Sequence, residues 1–148
     1  MVNGPQILYF NVQHAIEVHD WIIEHSGGRS GILEIGYLES ALMHVQNDLY
    51  YPSFEDKLTH LVFAINKFHA FNDGNKRSSI ALGSYFLELN GFDFCVNQFV
   101  HEMENISVWV AENKISKELL GEIVLSIIED EEQPESLKLK IFEAIERE

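Results

Sequence analysis

The run from Lys76 to Gly91, KRSSIALGSYFLELNG, does most to limit what this chain can fold into. Apolar and small residues (Ile80, Ala81, Leu82, Gly83, Tyr85, Phe86, Leu87, Leu89) dominate it, and Asn90-Gly91 supplies a stop. A helix that is apolar around most of its girth has to be enclosed by other elements. The expectation is an all-α bundle with this segment at its centre.

The flanking sequence supplies the enclosing helices. In NVQHAIEVHDWIIEHSGG, Asn11 is placed to cap a helix; Val12, Ala15, Ile16, His19, Ile22 and Ile23 recur at helical spacing, and Gly27-Gly28 ends it. A loop through Gly31 leads to a shorter helix in IGYLESALMHVQNDLY. After Pro52-Ser53, FEDKLTHLVFAINKFH carries Leu58, Leu61, Val62, Ile65 and Phe68 on one face. Beyond Gly91, FDFCV alternates and is aromatic, which reads as a short strand or flap, the one plausible strand in the chain. Two helices are expected over about Gln98–Glu112 and Lys117–Asp130, the second capped by Ser116. EDEEQPES reads as a hinge before an amphipathic helix, LKLKIFEAIERE. The division expected is a domain over 1–130 and a helical extension over 131–148, packed on the domain as an extra layer rather than docking a partner.

Composition narrows the function classes. The 148 residues carry 24 acids against ten Lys and Arg, a net charge of −14, which disfavours direct contact with nucleic acid or an anionic membrane surface. No apolar run reaches the roughly 18 residues of a membrane span. MVNGPQILYF lacks the basic stretch and cleavage site of a secretory signal, and the lone Cys95 sits among apolar neighbours as a small hydrophobe. A cytoplasmic location is expected.

Against that acidity, Lys67, Lys76 and Arg77 gather in or beside FHAFNDGNKRSS. One helix should end near His69, the chain should turn over Asn72, Asp73 and Gly74, and the central helix should start near Asn75. The first N–H groups of a helix lack internal partners and lie at the positive end of its dipole. Gly74 lets consecutive amides converge on an anion, and Lys76 and Arg77 add full charge there. Asp73 would repel a phosphate unless a cation lay between them, and Mg²⁺ suits one carboxylate plus phosphate oxygens. His69, four residues earlier, could act as general base on an incoming hydroxyl. Base, metal carboxylate and phosphate clamp describe phosphoryl or nucleotidyl transfer. The same residues also make an ordinary inter-helix turn followed by a solvated face, with Phe71 as a core anchor.

His69-Ala70-Phe71-Asn72-Asp73-Gly74-Asn75-Lys76-Arg77 resembles the signature of the Fic/Doc (Fido) superfamily, in particular its death-on-curing branch. The resemblance spans most of residues 11–130, including EVHDWIIEHSGG and YLESALMHVQNDLYY. It implies a compact all-α Fido-type bundle with the motif at the N-terminus of the central helix. It further implies His69 as base, Asp73 as the Mg²⁺ ligand, and Gly74, Asn75 and Arg77 as the site of the ATP phosphates. Lys76 stands where AMP-transferring Fic enzymes have a second glycine; death-on-curing toxins share this lysine. Such toxins are similar to kinases that pass the γ-phosphate of ATP to a hydroxyl of elongation factor Tu and so stop translation. Gly74 matches AMP-transferring relatives, which keeps adenylylation as the alternative, ahead of an inactive Fido binding module.

The resemblance also implies an antitoxin whose segment folds along a surface groove. A built-in inhibitory helix is not expected, since its nearest match, SGILEI, ends in Ile35. Elsewhere, His19 and Asp20 read as a hydrogen-bonded pair or as solvent-facing, Trp21 and Trp109 as core, and His60 and His101 as lacking metal-ligand partners.

Overall fold

A computed structural model describes residues 6–146. Among them are seven α-helices: α1 Val12–Ser26, α2 Ile35–His44, α3 Phe54–Lys67, α4 Asn75–Leu89, α5 Val96–Ala111, α6 Lys117–Ile128 and α7 Glu135–Ile145. Three starts are set by local side chains. Asn11 Oδ1 accepts from His14 N at 2.8 Å, Ser53 and Asp56 form a reciprocal capping box, and Ser116 Oγ accepts from Leu119 N at 3.1 Å.

The central position of α4 follows from its composition. Helices α3 and α5 pack along its length, α1 lies against it from Arg77 to Tyr85, and α2 and α6 pack on α3. Gly83 faces both α3 and α5. A Cβ there would lie 2.7 Å from Phe99 Cζ of α5 and 3.0 Å from Val62 of α3, so only glycine admits this approach. Leu82, Phe86, Leu87, Leu58, Leu61 and Phe99 form the middle of the core. Lys57 is buried as well; its Nζ donates to Val45 O at 3.0 Å and to Asp48 Oδ1 at 2.7 Å, tying α3 to the loop after α2.

Two expectations are corrected here. FDFCV is not a strand: Asp93–Cys95 forms a single 3₁₀ turn that runs directly into α5. In a strand Phe92 and Phe94 would share a face. Instead Phe92 stacks on Phe54 at 4.4 Å and Cys95 is buried, while Phe94 is exposed, a spacing of three that belongs to the 3₁₀ helix. Extended pairing occurs elsewhere, as an isolated antiparallel bridge between Ile32 and Phe71. Trp21 is not in the core. It lies 60% exposed, stacked on His25 at 4.1 Å, on the side of α1 away from α4. Trp109 is half-buried against the core.

The last helix packs on α6, burying Leu137 and Ala144 and leaving Leu139 and Phe142 exposed. No helix among the described residues is long and apolar enough to cross a membrane.

Candidate active site

The motif loop is fixed from both sides. After α3, His69 takes a left-handed backbone (φ 52°), which turns the chain and leaves its ring exposed. Ala70 and Phe71 are buried beneath it. Ala70 O accepts from Leu33 N at 2.8 Å and Glu34 N at 3.0 Å, and Asn72 N donates to Gly31 O at 3.1 Å. The loop before α2 therefore lies alongside the motif as a short extended strap. Asn75 closes the turn from the other end: its Nδ2 donates to Phe71 O at 2.9 Å and its Oδ1 accepts from Phe71 N at 3.2 Å. The Asn75 side chain is thus turned into the loop, and what it offers a ligand is its backbone amide.

Asp73 joins this loop to α1. Its Oδ2 accepts from Arg29 N at 3.0 Å and its Oδ1 from Gly74 N at 2.8 Å. Those two backbone bonds, Arg29 first, hold its carboxyl below the usual range, with the charges of Arg77 and Arg29 acting in the same sense. The Asp73 carbonyl accepts from His19 Nε2 at 2.6 Å, which fixes the proton on that nitrogen. The His19 ring is buried and stacks on Phe71 at 3.8 Å. The expected His19–Asp20 pair is not a hydrogen bond: Nδ1 lies 3.7 Å from the Asp20 carboxylate, and the His19 ring is committed to the motif instead.

Arg77 reaches back across the same junction. Its Nη1 donates to Ser26 Oγ at 2.7 Å and to Gly27 O at 2.8 Å, the C-terminal end of α1. Gly28 allows this closeness. A Cβ at Gly28 would lie 2.7 Å from Asp73 Oδ2 and 2.9 Å from Arg77 Nη2, and its φ of +118° already excludes most side chains. Arg29 follows, donating through Nη2 to Asn72 O at 3.3 Å.

The result is an anion-receptive helix start. Gly74, left-handed at φ 77°, provides no side-chain cap for α4, and the first intrahelical bond runs from Ser78 N to Gly74 O. The amides of Asn75, Lys76 and Arg77 precede that bond. Lys76 extends into solvent from the first turn. The residues present fit Mg²⁺: Asp73 is held ionised, and each of its oxygens uses one lone pair on a backbone N–H and keeps others. Among the described residues no group of three or more metal-binding side chains forms a protein-only cage. One carboxylate completed by phosphate oxygens and water is the usual Mg²⁺ arrangement.

The structure brings Asp73, Gly74, Asn75, Lys76 and Arg77 to one helix start, with His69 on the rim. His19, Gly28 and Arg29 hold the motif loop in ways that sequence reasoning did not assign; HSGGR carried the signal for Gly28 and Arg29, but its glycines read only as a helix stop.

The Fic/DOC family profile matches residues 9–87, a stretch that runs from before α1 to the end of the core segment of α4. Toxin Doc of Mycolicibacterium smegmatis is 31% identical over 104 residues, 64% of this chain and 80% of that protein. Protein kinase doc of Escherichia phage P1 is 30% identical over 112 residues, 73% of this chain and 86% of its own length. With the motif seated at the start of a central helix and the match covering most of the bundle, the chain belongs to the Fic/DOC family.

Proposed function

We propose that this protein is a death-on-curing-like toxin that transfers the γ-phosphate of ATP to a hydroxyl of a cytoplasmic translation factor, elongation factor Tu, and so inhibits translation. In this reading His69 takes the proton from the target hydroxyl as its oxygen attacks the γ-phosphorus. The bond from that phosphorus to the bridging oxygen breaks, and ADP leaves with the electron pair. The helix start at Gly74, through the amide of Asn75, and the side chains of Lys76 and Arg77 hold the phosphates, and Asp73 would hold Mg²⁺, which would neutralise charge on the phosphate oxygens. The observation that carries the reading is Lys76, an exposed ammonium on the first turn of a helix whose start has no side-chain cap. The likeness to a relative named a protein kinase points the same way. A macromolecular target is supported by Ile32 and Leu33 on the strap, Phe68 beside His69, and Tyr37 of α2 near Phe68, all left exposed. An antitoxin segment lying in a surface groove is the regulator that this reading implies.

Transfer of AMP is the second reading, favoured by Gly74, whose left-handed backbone leaves the loop open for a diphosphate. Incubation with elongation factor Tu, Mg²⁺ and ATP labelled at either the γ- or the α-phosphate separates the two. The expected product gains about 80 Da as phosphate and carries γ-label alone; a gain of about 329 Da with α-label would establish AMP transfer instead. Lys76→Gly should abolish γ-transfer.

A further inference from the structure

The peptide plane between Asp73 and Gly74 lies at the middle of the motif loop, and local chemistry does not set its orientation. The carbonyl of Asp73 and the N–H of Gly74 belong to one rigid unit and point in opposite directions. Turning that unit over changes only ψ of Asp73 and φ of Gly74, and glycine accepts either sign of φ. In the structure Gly74 has φ 77° and ψ 16°, its N–H donates to Asp73 Oδ1 at 2.8 Å, and the carbonyl faces α1. That carboxylate belongs to the loop itself, so it does not tie the plane to the rest of the bundle. His19 does. Its Nε2 donates to the Asp73 carbonyl at 2.6 Å, and among the described residues this is the one hydrogen bond to the plane from another element. The ring has little freedom to swing away: it is 1% exposed and stacked on Phe71 at 3.8 Å, with the two planes 6° apart. Helix α1 crowds the loop at the same point, where a Cβ on Gly74 would lie 3.2 Å from Ile23 Cδ1 and 3.5 Å from His19 Nε2. Glycine fits this space, and its missing side chain is also what leaves the plane free to turn.

We propose that His19 is a positioning residue, which locks the Asp73–Gly74 plane with its carbonyl toward α1 and so holds the Asp73 carboxylate in place at the start of α4. In the locked orientation both ends of the plane are satisfied, the carbonyl by His19 and the N–H by Asp73 Oδ1. Turned over, both would be opposed: the N–H would meet the N–H of His19, and the carbonyl oxygen would meet the Asp73 carboxylate. Removing the His19 donor leaves the carbonyl unpaired against a buried ring, and the plane is then held by the loop's own carboxylate alone. The loop should divide between the two orientations, and Asp73 should lose its fixed position. Histidine suits this task because one rigid ring supplies both the stack on Phe71 and the donor to Asp73. The effect of His19 on transfer rests on the phosphotransfer proposed for the motif, whereas the lock itself does not.

Two variants of the full chain separate the donor from the ring. His19→Phe keeps an aromatic stack on Phe71 and removes the N–H; His19→Gln loses the stack and keeps a terminal N–H donor at similar reach. Crystal structures give the orientation of the plane, thermal unfolding gives stability, and γ-phosphate transfer from ATP gives kcat and KM. His19→Phe should show Gly74 with negative φ in part or all of the molecules, and a kcat about 10²-fold lower at temperatures where it is folded. His19→Gln should keep φ positive and transfer within about tenfold of the parent rate, even where its melting temperature is the lower of the two. A plane that stays unturned in His19→Phe overturns the proposal, as does unchanged transfer from a turned loop, or a His19→Gln protein as slow as His19→Phe. Should His19→Phe not fold, the plane in His19→Gln decides, and a negative φ at Gly74 there overturns the lock. A parent protein that transfers no phosphate would defeat the phosphotransfer reading instead, and the orientation of the plane in the two variants would still decide the lock.

Discussion

At the scale of single residues, His69 and Gly28 have opposite relations to the fold. His69 is exposed and its side chain has no hydrogen-bond partner among the described residues, so nothing in the core depends on it. His69→Ala should leave the melting temperature unchanged and reduce phosphate transfer by about 10²–10⁴-fold, the usual contribution of a positioned general base. Full turnover in the well-folded variant would remove His69 from the chemistry. Gly28 is fixed by space and by backbone. Gly28→Ala forces a methyl against Asp73 Oδ2 and Arg77 Nη2 in a left-handed conformation, and should cost about 1–3 kcal/mol. It should also lower transfer, because the same two side chains move. Gly27 is the control: it too is left-handed (φ 86°), but no atom lies within 4 Å of an added Cβ. Gly27→Ala should show the backbone cost alone, and equal transfer rates in the two alanine variants would mean that the Gly28 contact does not position Asp73.

At the scale of elements, the α3–α6 contact holds a group that makes stability depend on pH. Burial pushes His60 down from 6.5 to about 4, with repulsion from Lys117 and His44 adding to it. The unfolded chain therefore binds a proton at this histidine at pH values where the folded one does not. Stability from His60 is complete above about 6.5, declines as pH falls toward 4, and levels off below that. Denaturant titrations across this window should show the decline, and His60→Phe should flatten it; an unchanged slope in the variant would show that other histidines cause it. Asp73, an acid whose pKa is also lowered, loses its contribution as pH falls from its ordinary value of 3.8 toward its folded value, below the His60 window, so the two effects separate. Element boundaries were legible in the sequence wherever the deciding contact is local, as at Asn11, Ser53 and Ser116, each capping an amide three residues on. FDFCV failed because five residues do not distinguish a period of two from one of three. His19 and Arg29 escaped notice for a different reason. They meet Asp73 across 54 and 44 positions of chain, and no local pattern encodes a partner that distant.

At the scale of the whole molecule, the site and the C-terminal helix belong to different parts of the bundle. The motif is held by α1, α3, α4 and the strap before α2, whereas α7 packs on α6. Helix α7 uses little of its apolar stripe: Leu137 and Ala144 are buried, Ile141 is half-covered, and Leu139 and Phe142 face outward. Its polar ties to the rest of the bundle are few and exposed, such as Lys140 to Glu122 at 2.8 Å, and pairs of that kind add little. Burial of one leucine and one alanine contributes roughly 2–3 kcal/mol before the entropy of ordering the helix is charged against it. Deleting residues 131–148 should therefore lower the melting temperature by only several degrees, on the order of 2–4 °C per kcal/mol for a chain of this size. Phosphate transfer should persist near the full rate at temperatures below the new transition, since no side chain of α7 contacts the motif. Thermal unfolding followed by circular dichroism, together with γ-phosphate transfer assays on the shortened chain, measures both quantities. An unfolded product would show that α7 is part of the core. A folded product without activity would show that α7, through α6 and α3, helps to set the position of the loop at His69.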